Sequence, residues 1–347
     1  MYFDASKGCS IVEVKRIGAG GMAELFLADL SSASGVSKRV VLKRMRSSMA
    51  TDPVCRALFL NEARIHAELN HPHIVQLFDV GADRNCPFLT LEYIEGGDLR
   101  SLSEILFARD DNTRLEATLR MLSEISSALV AVHKIAVHQD ISPSNILFSQ
   151  RGYFKLCDFG LARRLTESAD AEKLTGQGKF RYMSPEQIGG RATDPRSDVF
   201  SLAVCAAEFY SGQKLYTGLS RDALLQSLRK GSYLKQVEQL DLPEALRNIV
   251  LRAVQPSPKD RFADAYELMQ SALSAGFGLR CHDKTNSLRW HDKPVSLARL
   301  SKILTLALVS PVLLFVPGIV KLISFLRYCK KKRTRQRSRN TLQIWSG

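Results

Sequence analysis

The sequence lacks the features that mark a secreted or zinc-binding protein. Its seven cysteines are scattered, and none forms a C-x-x-C pair, so neither a zinc site nor a disulfide framework is indicated. The N-terminus has no basic stretch followed by an apolar core, so no secretory signal peptide is expected. A reducing compartment fits this composition best.

Acidic residues are scarce near the C-terminus. Residues 280–347 carry 15 basic side chains and 2 acidic ones, whereas residues 1–279 carry 34 and 33. The formal net charge of +14 over 347 residues therefore belongs to the tail, and the body of the chain is nearly neutral. A hydrophobic content of 45% and a charged content of 24% exclude disorder of the whole chain.

The order of predicted elements is typical of an α+β protein. Strands dominate up to about residue 95 and helices dominate from residue 98, which predicts two lobes. Strands are expected at Ile11–Ile17, Glu24–Leu30, Arg39–Arg44, Ile74–Val80 and Phe88–Tyr93. Helices are expected at Pro53–Leu69, Leu115–His133, Val199–Tyr210, Glu244–Val254 and Ala263–Ala275.

A glycine-rich turn at Gly18–Gly21 separates the first two predicted strands. Glycines let backbone N–H groups approach a phosphate closely. A strand follows the turn where a dinucleotide-binding Rossmann turn needs a helix, so that interpretation is excluded. Taken alone, the turn could equally be a simple hairpin.

Further motifs follow the turn in order. Lys43 lies in an apolar strand, and a buried ammonium needs a carboxylate partner, which Glu62 on the next helix could supply. The motifs after it are His138-Gln-Asp-Ile-Ser-Pro-Ser-Asn145, Asp158-Phe-Gly160 and Ser184-Pro-Glu186.

In order and spacing, these motifs resemble those of the bacterial-type serine/threonine protein kinases. The resemblance covers residues 11–275 and implies a bilobal protein-kinase-like fold, with an N-lobe at about 11–95 and a C-lobe at about 96–275. Residues 1–10 would be an N-terminal extension. The resemblance also implies ATP and Mg²⁺ as cofactors and transfer of the γ-phosphate to Ser/Thr hydroxyls of protein substrates.

Family roles are carried over by position. Asp140 would position the substrate hydroxyl and accept its proton, and Lys43, oriented by Glu62, would hold the α- and β-phosphates. Asn145 and Asp158 would bind Mg²⁺, which prefers such hard oxygen ligands. The resemblance assigns the other nucleotide contacts to Ile17, Gly18, Ala19, Gly20, Gly21, Leu25, Val41, Glu92, Ile94 and Leu147.

Several of these positions have more specific expected roles. The backbones of Glu92 and Ile94 would bind adenine behind the gatekeeper Leu91. The ring would be enclosed by three apolar side chains, although each could equally be an ordinary core residue: Leu25, Val41 and Leu147. Supporting contacts are expected between Glu186 and Arg261, and between Asp198 and the backbone of the catalytic loop (138–145). An acidic residue in the first turn of a helix is also a good cap, so Asp198 could equally have that role.

Three residues near the expected site depart from the family pattern. Gln139 stands where regulated kinases carry arginine, which predicts weak dependence on activation-loop phosphorylation. Ser142 replaces the lysine that usually lies beside the γ-phosphate, and Lys179 replaces a threonine. We hypothesise that Lys179 supplies the missing ammonium and so count it among the catalytic residues; the alternative is a solvent-facing lysine.

Other polar residues are expected to be less central. His66 lies one turn after Glu62 on the same helix face, where the family usually has an apolar residue, and we expect a packed neutral histidine. Candidate autophosphorylation sites in the expected activation segment (158–186) are Thr166, Ser168 and Thr175.

The C-terminal tail combines an apolar run with a basic cluster. Ile303–Val320 contains no charged residue and as a helix would span roughly 27 Å, close to the thickness of a bilayer core. Lys330–Arg339 holds seven basic residues, which suits anionic headgroups, and lacks the aromatic residues of a nucleic-acid platform. We therefore expect a linker (276–298), an apolar membrane segment (299–327) and a basic tail (328–347).

The expected protein is thus a membrane-associated kinase with its catalytic domain in the cytoplasm, and nucleic-acid binding is not expected. Two alternatives stay open. One is a pseudokinase scaffold that binds nucleotide without turnover. The other is a tyrosine-directed or dual-specificity kinase, because Ser142 and Lys179 both depart from the serine/threonine signature. Protein substrate and oligomeric state are left open.

Overall fold

An antiparallel sheet forms the first part of the computed structural model, which describes residues 2–4, 9–83, 85–165 and 180–282. Its strands are β1 (Tyr2–Asp4), β2 (Cys9–Ala19), β3 (Ala23–Ser31), β4 (Ser37–Met45), β5 (Leu77–Asp83) and β6 (Cys86–Glu92). The strand order is β1-β2-β3-β4-β6-β5. Two helices lie between β4 and β5 in the chain: α1 (Ser47–Ala50) and α2 (Pro53–Ala67).

The pairing of β3 with β4 decides which side chains share a face of this sheet. Leu25 pairs with Lys43, and Leu27 pairs with Val41. Because side chains alternate along a strand, these four lie on one face, whereas Leu42 lies on the other and is fully buried. A lysine is thereby placed among apolar neighbours.

Helix α2 is capped and amphipathic. Its N-cap Asp52 accepts hydrogen bonds from the N–H groups of Val54 and Cys55, and Pro53 occupies the first helical position. Its buried face includes Phe59 and Ala63, which join a small core cluster under the sheet. The same inward side carries Glu62 and His66, both buried.

Helices dominate the second part. They are α3 (Leu99–Leu106), α4 (Asp111–Val132), α5 (Pro185–Ile188), α6 (Pro195–Ser211), α7 (Arg221–Lys230), α8 (Leu234–Glu238), α9 (Glu244–Ala253) and α10 (Ala265–His282). Two short sheets accompany them, built from β7 (Gly96–Asp98), β8 (Ala136–Val137), β9 (Ile146–Ser149), β10 (Phe154–Leu156) and β11 (Arg163–Arg164). Every residue of α6 from Ser197 to Tyr210 is buried, so this helix is the centre of the core.

Gly96 marks the junction of the two parts. It begins β7 and pairs with Ser149 of β9. A Cβ at this position would lie 1.8 Å from the backbone oxygen of Phe148. The close approach of the two backbones therefore requires glycine.

All the expected strands and helices are present, with two notable shifts. The expected strand Ile74–Val80 begins only at Leu77, because Ile74 and Val75 are buried against Leu156 at the junction of the two parts. The last helix continues to His282, into the range expected to be a linker, since no proline interrupts it.

The C-terminal predictions lie outside the described residues. The apolar segment 299–327, the basic tail 328–347 and most of the linker belong to this part. Among the helices that the structure describes, none combines the length and the apolar character needed to cross a membrane.

Candidate active site

Lys43 lies between two carboxylates that come from different elements. Its Nζ donates to both oxygens of Glu62, at 2.6 and 2.8 Å, and to Oδ1 of Asp158 at 2.9 Å. Burial alone would lower the pKa of Lys43, but the two carboxylates outweigh that effect and raise it. The ammonium is therefore charged, and the predicted Lys43–Glu62 pair is confirmed.

Glu62 depends on this ammonium for its own charge. Burial raises the pKa of Glu62, and the contacts with Lys43 act in the opposite direction. The backbone N–H of Phe159 also donates to the carboxylate. Glu62 therefore ties α2 to both β4 and the segment after β10.

The backbone at Asp158 is held in an uncommon conformation. Asp158 has a φ of 67°, in the left-handed region that few residues other than glycine adopt. Phe159 is fully buried between the rings of His66 and His138, with centroids 4.8 and 4.9 Å away. This anchor turns the preceding carboxylate toward Lys43.

His66 is a packed histidine, as expected. Its Nε2 lies 2.5 Å from the backbone oxygen of Val75, so Nε2 carries the proton and donates. Burial lowers the pKa of His66 to about 4. The ring is therefore neutral at pH 7, and the prediction is confirmed.

The loop 138–145 brings Asp140 and Asn145 together. Nδ2 of Asn145 donates to the backbone oxygen and to Oδ2 of Asp140, at 2.8 Å each. The N–H groups of His138 and Gln139 donate to the two oxygens of Asp198, each at 2.8 Å. Because Asp198 belongs to the buried helix α6, it anchors the backbone of this loop to the core of the helical part, as predicted.

Gln139 occupies the position where regulated kinases carry arginine. Its Nε2 donates to Oγ1 of Thr193 at 2.6 Å, and its backbone oxygen accepts from Nε2 of Gln187 at 2.9 Å. Arg163 also donates to the backbone oxygen of Thr193, at 3.0 Å. The uncharged side chain of Gln139 therefore links the loop 138–145 to the segment after α5 through a neutral hydrogen bond.

The glycine turn leaves room for a ligand. Gly20 and Gly21 have ordinary negative φ angles, and a Cβ at either would meet no protein atom closer than 3.8 Å. The fold itself therefore does not require glycine at these two positions, whereas close approach of a phosphate would. Gly18 is tighter, since its Cβ would lie 3.4 Å from Leu25.

The apolar candidates lie near this turn. Leu25 and Val41 are half-buried on the sheet face that carries Lys43. Leu147 is half-buried in β9, whereas its neighbour Ile146 is fully buried in the core. Partial exposure of all three fits apolar walls of a cleft. Of the remaining candidates, Ile17 and Ala19 are exposed and Ile94 is buried.

The donor set fits Mg²⁺. Nδ2 of Asn145 is used by Asp140, which directs the amide oxygen away from that residue. This oxygen and the Asp158 carboxylate are hard ligands of the kind Mg²⁺ binds alongside substrate phosphates and water. In the described ranges, no group of three or more His, Cys, Asp or Glu side chains could hold a metal ion. The protein would thus contribute few ligands, as is usual for Mg²⁺ at phosphates.

Residues 11–275 match the family described as protein kinase domain. The chain belongs to the protein kinase family. This kinase is 34% identical over 284 residues to the tyrosine-protein kinase MasK of Myxococcus xanthus, covering 77% of this chain and 44% of MasK. It is 30% identical over 260 residues to the probable serine/threonine-protein kinase PknB of Lactococcus lactis, covering 74% and 40%.

A third relative is the serine/threonine-protein kinase PknB of Mycobacterium tuberculosis, 32% identical over 261 residues that cover 73% of this chain and 40% of PknB. The kinase chain spans less than half the length of these curated relatives. The resemblance to bacterial-type serine/threonine protein kinases is confirmed, and so is the bilobal fold with a strand-rich N-lobe and a helical C-lobe.

One polar pair of the kinase domain was missed from the sequence. Nζ of Lys155 donates to Oε2 of Glu92 at 2.7 Å and to the backbone oxygen of Ile74 at 3.3 Å. Glu92 was expected to act through its backbone, and its side chain has this separate role. The signal was available, since Lys155 lies between the apolar residues of β10, as Lys43 does in β4.

The expected pair between Glu186 and Arg261 is confirmed. The guanidinium donates to both carboxylate oxygens, at 2.7 and 2.9 Å. Burial alone would raise the pKa of Glu186, but Arg261 outweighs it and holds the pKa below its usual value. Other activation-segment predictions lie in 166–179, outside the described residues: Thr166, Ser168, Thr175 and Lys179.

Proposed function

We propose that this protein transfers the γ-phosphoryl group of ATP to serine or threonine hydroxyls of protein substrates in the presence of Mg²⁺. The observation that carries the proposal is the charged Lys43 ammonium held between Glu62 and Asp158. Phosphoryl transfer spreads negative charge over the transferring oxygens, so positioned cations and donors supply most of the catalysis.

The residues then take distinct roles. Lys43 would bind the α- and β-phosphates, and the backbone of Gly18–Gly21 would cover them. Asp140, held by Asn145, would orient the substrate hydroxyl and accept its proton. Mg²⁺ bound by Asn145 and Asp158 would neutralise charge on the phosphate oxygens.

The remaining nucleotide contacts concern the adenine ring. Apolar surface from Leu25, Val41 and Leu147 would enclose it. The backbone groups of Glu92 and Ile94 would provide hydrogen bonds to its edge. All five residues lie in β3, β4, β6, β9 or the segment that joins the lobes.

The test is [γ-³²P]ATP labelling of a generic protein substrate by wild type and by Asp140→Asn. Loss of a general base should reduce labelling by about 10²-fold or more, while Mg-ATP still raises the melting temperature of both proteins. Asp241→Asn, at an exposed loop position, is the matched control and should label normally. Equal labelling by Asp140→Asn contradicts the proposed role, and ATP binding without labelling by wild type indicates a pseudokinase.

A second candidate, a tyrosine-directed or dual-specificity kinase, is favoured by Ser142. This side chain is fully buried, and its Oγ lies 3.1 Å from that of Ser144. It cannot replace a lysine beside the γ-phosphate. The similarity to a relative named as a tyrosine-protein kinase points the same way. Phosphoamino-acid analysis of the labelled substrate separates the two candidates.

We also propose that residues 299–347 associate the protein with a membrane and leave the kinase domain in the cytoplasm. The support is the uncharged run Ile303–Val320 followed by the basic cluster Lys330–Arg339. Deletion of 299–347 should move the kinase from the membrane fraction to the soluble fraction without loss of labelling. A deletion variant that stays with membranes contradicts this proposal.

A further inference from the structure

An open cavity of about 790 Å³ lies in the helical lobe, beside the catalytic loop. Its walls come from α3, the C-terminal end of α6 and the turn Phe180–Tyr182. Pro143 of the catalytic loop also lines it, and the N–H of Leu99 donates to the Pro143 oxygen at 3.0 Å. The cavity therefore opens three residues along the chain from Asp140, where a protein substrate must present its hydroxyl.

Cys205 is one of the residues that α6 contributes to the cavity. This residue lines the cavity and is fully buried. Burial raises the pKa of its thiol, the charges of Glu208 and Asp140 raise it further, and Arg100 acts in the opposite direction.

Three cationic side chains line the cavity, and we name them the basic groove: Arg100, Arg181 and Lys214. Arg100 and Lys214 are exposed, and Arg181 is half-buried. All three can therefore meet a ligand that enters from solvent.

The acidic side chains of the cavity offset this charge only in part. Glu208 is buried, and its two oxygens accept hydrogen bonds from Tyr182 Oη at 2.8 Å and from the N–H of Leu215 at 2.7 Å. Burial also raises its pKa, and its hydrogen bonds and the charges of Arg181 and Lys214 act in the opposite direction. Glu208 is therefore occupied inside the protein, and the exposed acid of the cavity is Glu104.

The segment 211–235, which includes Lys214 of the basic groove, is also rich in basic residues. Residues 211–235 contain five basic residues and one acidic residue, Asp222. Residues 1–279 as a whole contain 34 basic and 33 acidic residues. Basic charge is thus concentrated in and after the groove, although the body of the protein is nearly neutral.

We propose that the basic groove selects protein substrates with aspartate or glutamate residues near the phosphoacceptor. The inference rests on the proposed kinase function. Arginine binds carboxylates through two parallel hydrogen bonds, and lysine adds a second point charge. Complementary charge also speeds the encounter with an acidic segment and disfavours a basic one.

The test uses three peptides with one acceptor residue, flanked by glutamate, glutamine or lysine. We expect kcat/KM of the full-length protein to be about tenfold higher for the glutamate peptide than for the lysine peptide, a difference of about 1.4 kcal/mol. The preference should shrink in high salt, because exposed charges are screened.

Charge reversal identifies the groove as the cause. Arg100→Glu combined with Lys214→Glu should reverse the preference, and Lys214→Glu alone, at an exposed position, should weaken it. Lys259→Glu is the control, since Lys259 is exposed in the turn Pro258–Asp260 and does not line the cavity. It should keep the wild-type preference.

The outcomes separate this inference from the proposed function. Wild type that labels a generic protein but shows no charge preference among the peptides overturns the groove and leaves the kinase standing. An unchanged preference in the reversal variants does the same. Wild type that labels nothing overturns the proposed function and this inference with it.

Discussion

Removal of the Glu186 carboxylate should destabilise the kinase domain strongly. The Arg261 side chain is fully excluded from solvent, and it also donates to the backbone oxygens of Gln255, Pro256 and Arg196. In Glu186→Gln these three carbonyls keep the guanidinium in place, but its counter-charge is lost. An uncompensated buried charge costs about 3–5 kcal/mol, which in a domain of this size lowers Tm by roughly 6–10 °C.

The matched control is an ion pair of similar length at the surface. Asp29 and Arg39 are 2.6 Å apart, but their side chains are 36% and 48% exposed. Such a pair contributes at most about 1 kcal/mol, so Asp29→Asn should lower Tm by no more than roughly 2 °C. Thermal unfolding followed by circular dichroism compares the two variants. Equal shifts would refute the reasoning that burial makes the Glu186 pair costly to break.

Acid gives an independent check on the same pair. Because Arg261 lowers the pKa of Glu186 below its ordinary value of 4.5, the folded carboxyl binds its proton later than the unfolded one as pH falls. The stabilisation by the ionised Glu186 carboxylate is therefore fully present above pH 4.5, and it is lost as the pH falls through the lower pKa of the folded state. The Tm difference between wild type and Glu186→Gln should narrow under acidic conditions, and a constant difference contradicts this linkage.

Three further predictions concern activity and pH. Wild type treated with phosphatase should keep most of its activity, because Gln139 has no charge for a phosphorylated loop to neutralise and is already bonded to Thr193; a large loss contradicts this. His66 has a folded pKa of about 4 against an ordinary 6.5, so the unfolded state binds more protons between these values and stability falls as pH falls. Between pH 7 and pH 4, His66→Leu should therefore lose less unfolding free energy than wild type, by up to about 3 kcal/mol. Urea titration at the two pH values measures this difference. An equal loss in both proteins would disprove the role assigned to His66. Finally, Lys179→Ala should lower kcat, because Lys179 is proposed to supply the ammonium that Ser142 lacks. If kcat is unchanged in that variant while Asp140→Asn is inactive, this hypothesis is wrong.

The sequence was sufficient to predict contacts that physical necessity imposes on a pair of residues. A lysine in an apolar strand needs a carboxylate partner, and this argument predicts Glu62, whose Oε1 lies 2.6 Å from Nζ of Lys43. The same argument holds for Lys155, which lies in an apolar strand and pairs with Glu92. The strand expected at Ile74 was misplaced because apolar residues in a lobe junction and in a strand share one pattern.

The basic groove shows a different limit. Arg100, Arg181 and Lys214 are far apart in the chain, and no local pattern connects them. Whether Glu208 offers its charge to solvent depends on Tyr182 and on a backbone N–H. These are consequences of packing, which brings together residues whose separation along the chain carries no signal.

The family and the order of the lobes could be read from the sequence, because the motifs that carry the family resemblance follow one another in a fixed order along the chain. The contact of Lys43 with Asp158 and the charge of the groove could not be read in this way, since each depends on the distances that packing sets. The uneven charge of the chain illustrates both what the sequence determines and what only the packing of the chain decides. Its excess in the tail is a matter of composition, whereas its local excess beside Asp140 arises only when the helices of the C-lobe pack together.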